Sequence, residues 1–246
     1  MTLTSIRGQE NQGGQNNPYV DNRIVHFGFS LGMNLMAFGV DDSNLAIDRE
    51  GNVYDPGAPD RPDDAEVYHA RVTNLMPGFS VGFITDLRLC KYLNLRFTPT
   101  LHFASRSIKY VAESGRPVTG SPGNGDLAET LSLPIDIPLY LKYSAKREKN
   151  YCPYVIAGGG YSYNVSRDKE KPMMLKGGDW FVGVGFGFDI YLPWFKLCPE
   201  IKYQLGFKNQ LMGIEERKDL EEADMFYTLA ISRLTNHTVT ISFNFE

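Results

Sequence analysis

Strict alternation of large apolar with small or polar residues runs through most of this chain, and it limits the possible folds more than any other feature. In residues 25–35, Val25, Phe27, Phe29, Leu31, Met33 and Leu35 form one set, and His26, Gly28, Ser30, Gly32 and Asn34 the other. Successive side chains of a β-strand point to opposite faces, so a period of two gathers each set on its own face. The two faces must meet different environments. The greasy face meets either a protein core or lipid.

With 246 residues the chain suffices for one large all-β domain or two ordinary domains. Aromatic residues make up 13 %, and 24 glycines accompany them, which favours strands and turns over helices. A mean hydropathy of −0.29 is that of a soluble protein, yet it fits a membrane barrel equally, because only alternate residues of such strands face lipid. No apolar run approaches the roughly 18 residues of a transmembrane helix. The net charge is −4 with acids and bases mixed, and no basic patch suggests nucleic acid as a partner. The three cysteines, Cys90, Cys152 and Cys198, lack metal-ligand spacing and read as small buried side chains.

Residues 1–22 read as a flexible leader. Met1–Gln9 lacks the charged and long apolar regions of a signal peptide, and the polar stretch Glu10–Asn17 follows. It is either the tail of a signal peptide whose start is assigned too late or a disordered tail. Residues 23–246 read as a single domain.

Eight alternating segments fall at about 24–39, 77–90, 94–109, 128–144, 152–166, 179–192, 196–208 and 237–246. Pro134 and Pro138 are awkward within the fourth and suggest bulges. Three connections are short: Lys91–Leu93, Ala145–Asn150 and Pro193–Trp194. The other four, about 40–76, 110–127, 167–178 and 209–236, are longer and loop-like in composition. Segment 218–235 fits either a short helix or a strand extension, and a ninth strand there would spoil the even count. Short turns at one end and long loops at the other is the plan of an outer-membrane barrel. The expected fold is an all-β, eight-stranded antiparallel transmembrane up-and-down β-barrel with short periplasmic turns and long extracellular loops.

A lipocalin-like barrel would turn the apolar face inward. Three observations favour lipid outside. The polar face is rich in glycine (Gly158, Gly160, Gly183, Gly185, Gly187), which weakens water-facing strands but makes room in a narrow lumen. Each apolar face carries enough large residues to cross a bilayer in a tilted strand. Tyr92, Tyr143, Tyr151, Trp194 and Phe195 gather at the short-turn end, and Tyr161, Tyr163 and Trp180 lie toward the other, as girdles do.

The inward face carries charge near the short turns. A turn centred near Tyr92 sets Arg88 beside Arg96, and the Pro193–Trp194 turn sets Asp189 beside Glu200. In an eight-strand ring these hairpins lie diametrically opposite, across a lumen only wide enough for side chains. Adding Asp86, Asp136, Lys142 and Lys202 balances four acids against four bases. The expectation is a neutral ion-pair plug; the plain alternative is side chains that snorkel to water. His26 and His102 also face inward with serines nearby, the ingredients of a Ser-His-acid enzyme, but no spacing supports one. Gly158–Gly160 and Gly183–Gly187 are strand glycines with no helix after them, so they do not cradle phosphate. The acidic run Glu215–Glu222 reads as a solvated face without an oxygen-ligand pattern. No catalytic, cofactor or metal residues emerge.

The last residues, Thr238–Glu246, alternate with Val239, Ile241, Phe243 and Phe245 on one side. They resemble the terminal strand signal read by the outer-membrane barrel assembly machinery. More of the chain is similar to PorT proteins of the type IX secretion system: the run Gly183–Gly206, the run Leu133–Tyr143 and the Ser242–Glu246 ending, within a match spanning about 20–246. The resemblance implies an integral outer-membrane protein needed to export cargo bearing a C-terminal sorting domain, with a role in gliding or protease secretion. It supplies no ligand residues. An eight-strand barrel is too narrow for a folded protein, so the implied role is a non-enzymatic accessory or scaffold that contacts other type IX components. The alternatives are an OmpA-like stabilising or adhesive surface barrel and, behind it, a membrane lipid-modifying enzyme.

Overall fold

Thirteen strands carry the fold in the computed structural model, which describes residues 16–17, 20–48, 52–73, 75–113, 127–165, 177–211 and 229–246. They are β1 (Val25–Asp42), β2 (Ala46–Ile47), β3 (Val53–Tyr54), β4 (Glu66–Thr73), β5 (Pro77–Arg88), β6 (Leu93–Phe97), β7 (Thr100–Ala112), β8 (Leu127–Ser132), β9 (Pro134–Ser144), β10 (Tyr151–Asn164), β11 (Gly178–Tyr191), β12 (Lys196–Gly206) and β13 (Ile231–Phe245). A short 3-10 turn, Val20–Asn22, precedes β1.

Every pairing between these strands is antiparallel. From β1 the ladder runs through β13, β12, β11, β10 and β9 to β6 and β7, then to β5, and β5 pairs β1 again. Two walls of this ring are each made of two strands. Pro99 separates β6 from β7, and Pro134 opens β9 with only Leu133 between it and the end of β8, because proline cannot donate to the ladder. Pro138 causes no break; it lies within β9 opposite Gly160. Counting each interrupted wall once gives eight walls, the number expected from the alternation.

The large apolar residues face outward. Phe27, Phe83, Trp180, Leu139, Val184, Ile201 and Phe243 are all exposed, whereas Ser30, Asn34, Arg96, Lys142, Glu200 and Asn244 are buried. The inversion is that of a barrel in lipid: polar within, greasy without. Outward stacking of Phe29 on Phe245 at 4.7 Å staples the first wall to the last.

Some walls continue beyond the apolar band at the long-loop end. The segment 40–76, expected to be loop, contains β2, β3 and β4, and β4 pairs the upper part of β7 from Tyr68↔Ala112 to Thr73↔Ser107. Its Val67–Tyr68–His69–Ala70 alternation is short and flanked by Pro and Asp, which hid it. The last strand starts at Ile231 rather than near 237, a strand extension within the segment expected to be ambiguous. Residues 218–228 of that segment, and the acidic run Glu215–Glu222, lie outside the described residues.

Candidate functional site

The interior is filled in tiers. Glycines on the inward face of β11 make the space: a Cβ on Gly187 would lie 2.5 Å from the Tyr154 ring, and one on Gly183 would lie 2.8 Å from the Tyr140 hydroxyl. Tyr154 lies over its cross-strand neighbour Gly187, and Tyr140, two walls from β11, lies over Gly183; both are buried.

The tier nearest the short turns is ionic. Arg96 donates to Asp86 through Nε (2.7 Å) and a terminal nitrogen (2.8 Å), to Glu200 at 3.0 Å and to Glu246 at 2.5 Å. The Arg96–Glu200 contact joins walls on opposite sides of the ring. Lys142 bonds both oxygens of Asp189 at 2.8 Å and lies 3.8 Å from Asp86. Lys196 meets Glu246 at 2.5 Å and Asp189 at 3.9 Å, and Lys202 meets Glu200 at 3.1 Å. Tyr154 donates to Glu200 at 2.8 Å, and the Lys142 ammonium lies 4.0 Å from the Tyr154 ring centre. Asp86, Asp189, Glu200 and Glu246 thus oppose Arg96, Lys142, Lys196 and Lys202 in one connected network without net charge. Buried charge is tolerated only when paired in this way.

Six of the eight residues singled out from the sequence lie in this tier, and two do not. Arg88 lies opposite Asn94, and Arg96 opposite Asp86, because the turn centres on Lys91 rather than Tyr92. Arg88 instead donates to the backbone oxygens of Asp21 and Cys90 at the rim. Asp189 also misses its expected neighbour: Glu200 pairs Gly187 across the β11–β12 ladder. Asp136 lies a tier higher, opposite Thr100. Lys196 and Glu246 complete the tier in place of Arg88 and Asp136. Both share the parity of residues assigned inward, Glu200 with Lys202 and Ser242 with Asn244, and that parity was the available signal.

In the second tier Asn34 donates to His102 Nδ1 at 3.3 Å, and His102 Nε2 faces Asp136 at 3.2 Å. An amide nitrogen can only donate, so Nδ1 accepts and the Nε2–H donates a hydrogen bond to the Asp136 carboxylate. Gln204 bonds Asp136 at 3.2 Å and the Tyr140 hydroxyl at 3.1 Å. Ser80 is the cross-strand neighbour of His102, but both imidazole nitrogens are occupied, which leaves neither to activate a serine hydroxyl. Above this, Arg106 bonds Asn236 and Ser132, and Asp179 accepts from Asn236 and the Lys208 backbone. At the long-loop end the inward face turns apolar: Phe38, Ile108, Tyr110 and Leu234 join Ile47, Ala70, Leu211, Ala230 and Ile231 in one buried cluster. Alternation alone hides this cap, because its residues share the parity of the polar inward face below them.

Among the described residues, cavities between the tiers measure about 20, 10 and 20 Å³, each room for about one water. Among the described residues no three His, Cys, Asp or Glu side chains gather to hold a metal ion.

The short-turn mouth is covered by the chain's own N-terminal segment. Asn16 bonds Asn150 and the Tyr191 oxygen, Asn17 bonds the Leu192 oxygen, and Tyr191 donates to Asp21 at 2.7 Å. Arg147 stacks 3.5 Å over the Tyr191 ring and bonds Asn16, Asn17 and Asp21. The terminal strand presents Ile241 and Phe243 to the outside, with Val239 and Phe245 half-buried on the same face.

Among solved structures, the outer membrane protein OprG from Pseudomonas aeruginosa is similar at a TM-score of 0.46 and 13% identity, covering 89% of this chain and 94% of that one. Ail, the attachment invasion locus protein of Yersinia pestis, solved with the heparin analogue sucrose octasulfate, gives a TM-score of 0.34 at 10% identity, covering 89% of this chain and 96% of that one. No curated protein matches the sequence. Residues 11–211 match the family described as outer membrane protein beta-barrel domain. An apolar exterior, a polar filled lumen and a family match over most of its length agree: the chain belongs to the outer membrane protein beta-barrel domain family and resides in the outer membrane.

Proposed function

We propose that this barrel is a non-enzymatic accessory or scaffold component of the type IX secretion machinery, required for export of cargo with C-terminal sorting domains. One observation carries the mechanical part of the reading. Among the described residues the lumen is occupied from the ionic tier to the apolar cap, and the cavities lined by its middle tiers measure about 10 to 20 Å³. A barrel so filled acts through what its ends and loops touch, not through what it conducts. The machinery itself is suggested by the resemblance of Leu133–Tyr143, Gly183–Gly206 and Ser242–Glu246 to PorT proteins. Val239, Ile241, Phe243 and Phe245 would serve as the signal for the barrel assembly machinery, and other type IX components would be the partners.

Deletion of the gene, followed by quantitative comparison of secreted proteins, tests the reading. Loss of sorting-domain cargo from the medium with an intact envelope supports it. An unchanged secretome sinks it, and a leaky or fragile envelope with normal export would point instead to an envelope-stabilising barrel. Purification in mild detergent with identification of co-purifying proteins would name the partner.

A further inference from the structure

A cavity opens as a notch in the periplasmic rim, below the ionic tier, whose Lys196 and Glu246 line its inner end. It measures about 380 Å³, and Arg23, His26, Phe27, Trp194 and Phe195 are among its lining residues. On one side β1 pairs β5 from Val25 onward; on the other it pairs β13 only from Phe29. Val25–Gly28 therefore have no ladder partner on the β13 side among the described residues.

The lining is amphipathic. Phe27 and Trp194 are 73% and 92% exposed, and Phe195 is exposed beside them. These rings stand at the level of the aromatic girdle, where acyl chains give way to headgroups. Arg23 is exposed and meets no carboxylate among the described residues. His26 is 91% buried, and its Nε2 bonds the Val20 oxygen at 2.8 Å. That bond places the ring proton on Nε2 and leaves Nδ1 as a buried acceptor without a partner. Arg23 is the exposed cation of the notch, and Lys196 and Glu246, which also line it, pair with each other at 2.5 Å.

We propose that the notch binds the headgroup of an anionic glycerophospholipid of the periplasmic leaflet. Arg23 takes the phosphate, His26 Nδ1 accepts from a headgroup hydroxyl, and the acyl chains run along Phe27, Trp194 and Phe195. Arg23 selects anionic over zwitterionic lipid, since a cation near the surface favours an anionic headgroup by about fivefold.

The full chain is refolded into phosphatidylcholine vesicles containing a minority of phosphatidylglycerol, extracted in mild detergent, and its retained lipid counted by native mass spectrometry. Phosphatidylglycerol is expected to be enriched over its share in the vesicle. Arg23→Gln should lower that enrichment about fivefold, while Arg61→Gln at the long-loop end should leave it unchanged. Inorganic phosphate should not displace the lipid, because the acyl contacts are part of the site. Should Arg23→Gln fail to fold, a Trp180→Phe protein leaves Trp194 as sole reporter. Brominated phosphatidylglycerol should quench it more than brominated phosphatidylcholine does. Equal retention of the two lipids, equal quenching, or release by inorganic phosphate alone would overturn the proposal. Equal retention is also what a protein strand docking on the open edge of β1 would give.

Discussion

Replacing Arg96 with methionine keeps much of the side-chain volume and removes the charge that binds three carboxylates. Asp86, Glu200 and Glu246 lose contacts of 2.7, 3.0 and 2.5 Å respectively. The tier is left with four acids and three bases, in a region where Arg96 itself is 1% exposed. Lys142 and Asp86 remain 3.8 Å apart, too far to replace the lost hydrogen bonds. Removing one partner from a buried ion pair costs about 3–5 kcal/mol, mostly because the remaining charge is stranded. The assay is guanidinium unfolding of the vesicle-inserted protein, followed by the fluorescence of Trp180 and Trp194. Adding Asp86→Leu restores a balance of three acids and three bases, so the double variant should be more stable than Arg96→Met alone. A loss below about 1 kcal/mol, the range of solvent-exposed pairs, would refute the network as a buried unit. So would a double variant whose loss is the plain sum of the two single losses, because contacting residues in one network should couple.

Arg88→Met should change stability by less than about 1 kcal/mol in the same assay, since among the described residues Arg88 meets backbone oxygens at the rim and no lumen carboxylate. Gly187→Ala should cost about 1–3 kcal/mol, because the new Cβ would press on the Tyr154 ring whose hydroxyl holds Glu200. Arg147→Ala removes the side chain that clasps Asn16, Asn17 and Asp21, and should speed proteolytic clipping of residues 16–22 while leaving the barrel's heat-modified gel shift in place.

Periodicity made the walls and their facing legible. From Val25 to Leu35 and from Trp180 to Ile190 the parity of the sequence is the parity of the structure, because a pleated strand has no other way to direct its side chains. What parity does not fix is where a turn is centred. Centring the β5–β6 turn one residue late moves each cross-strand partner by two, and that difference puts Asp86 opposite Arg96 and Arg88 opposite Asn94. Height along the wall was equally obscure for Asp136, since strand tilt and the break at Pro134 decide which tier a residue reaches. The apolar cap was hidden for another reason. Phe38, Ile108 and Tyr110 share parity with Ser30, His102 and Arg106, so the inward face changes character partway up a continuous strand. Only the pairing of β4 with the upper half of β7 explains why: above the lipid band, the inside becomes an ordinary protein core.

A planar-bilayer recording of the native full chain tests the filled lumen most directly. The account predicts insertion without steady conductance at neutral pH, and measurable openings once Arg96→Met unbalances the ionic tier. Large steady conductance from the native barrel would contradict it.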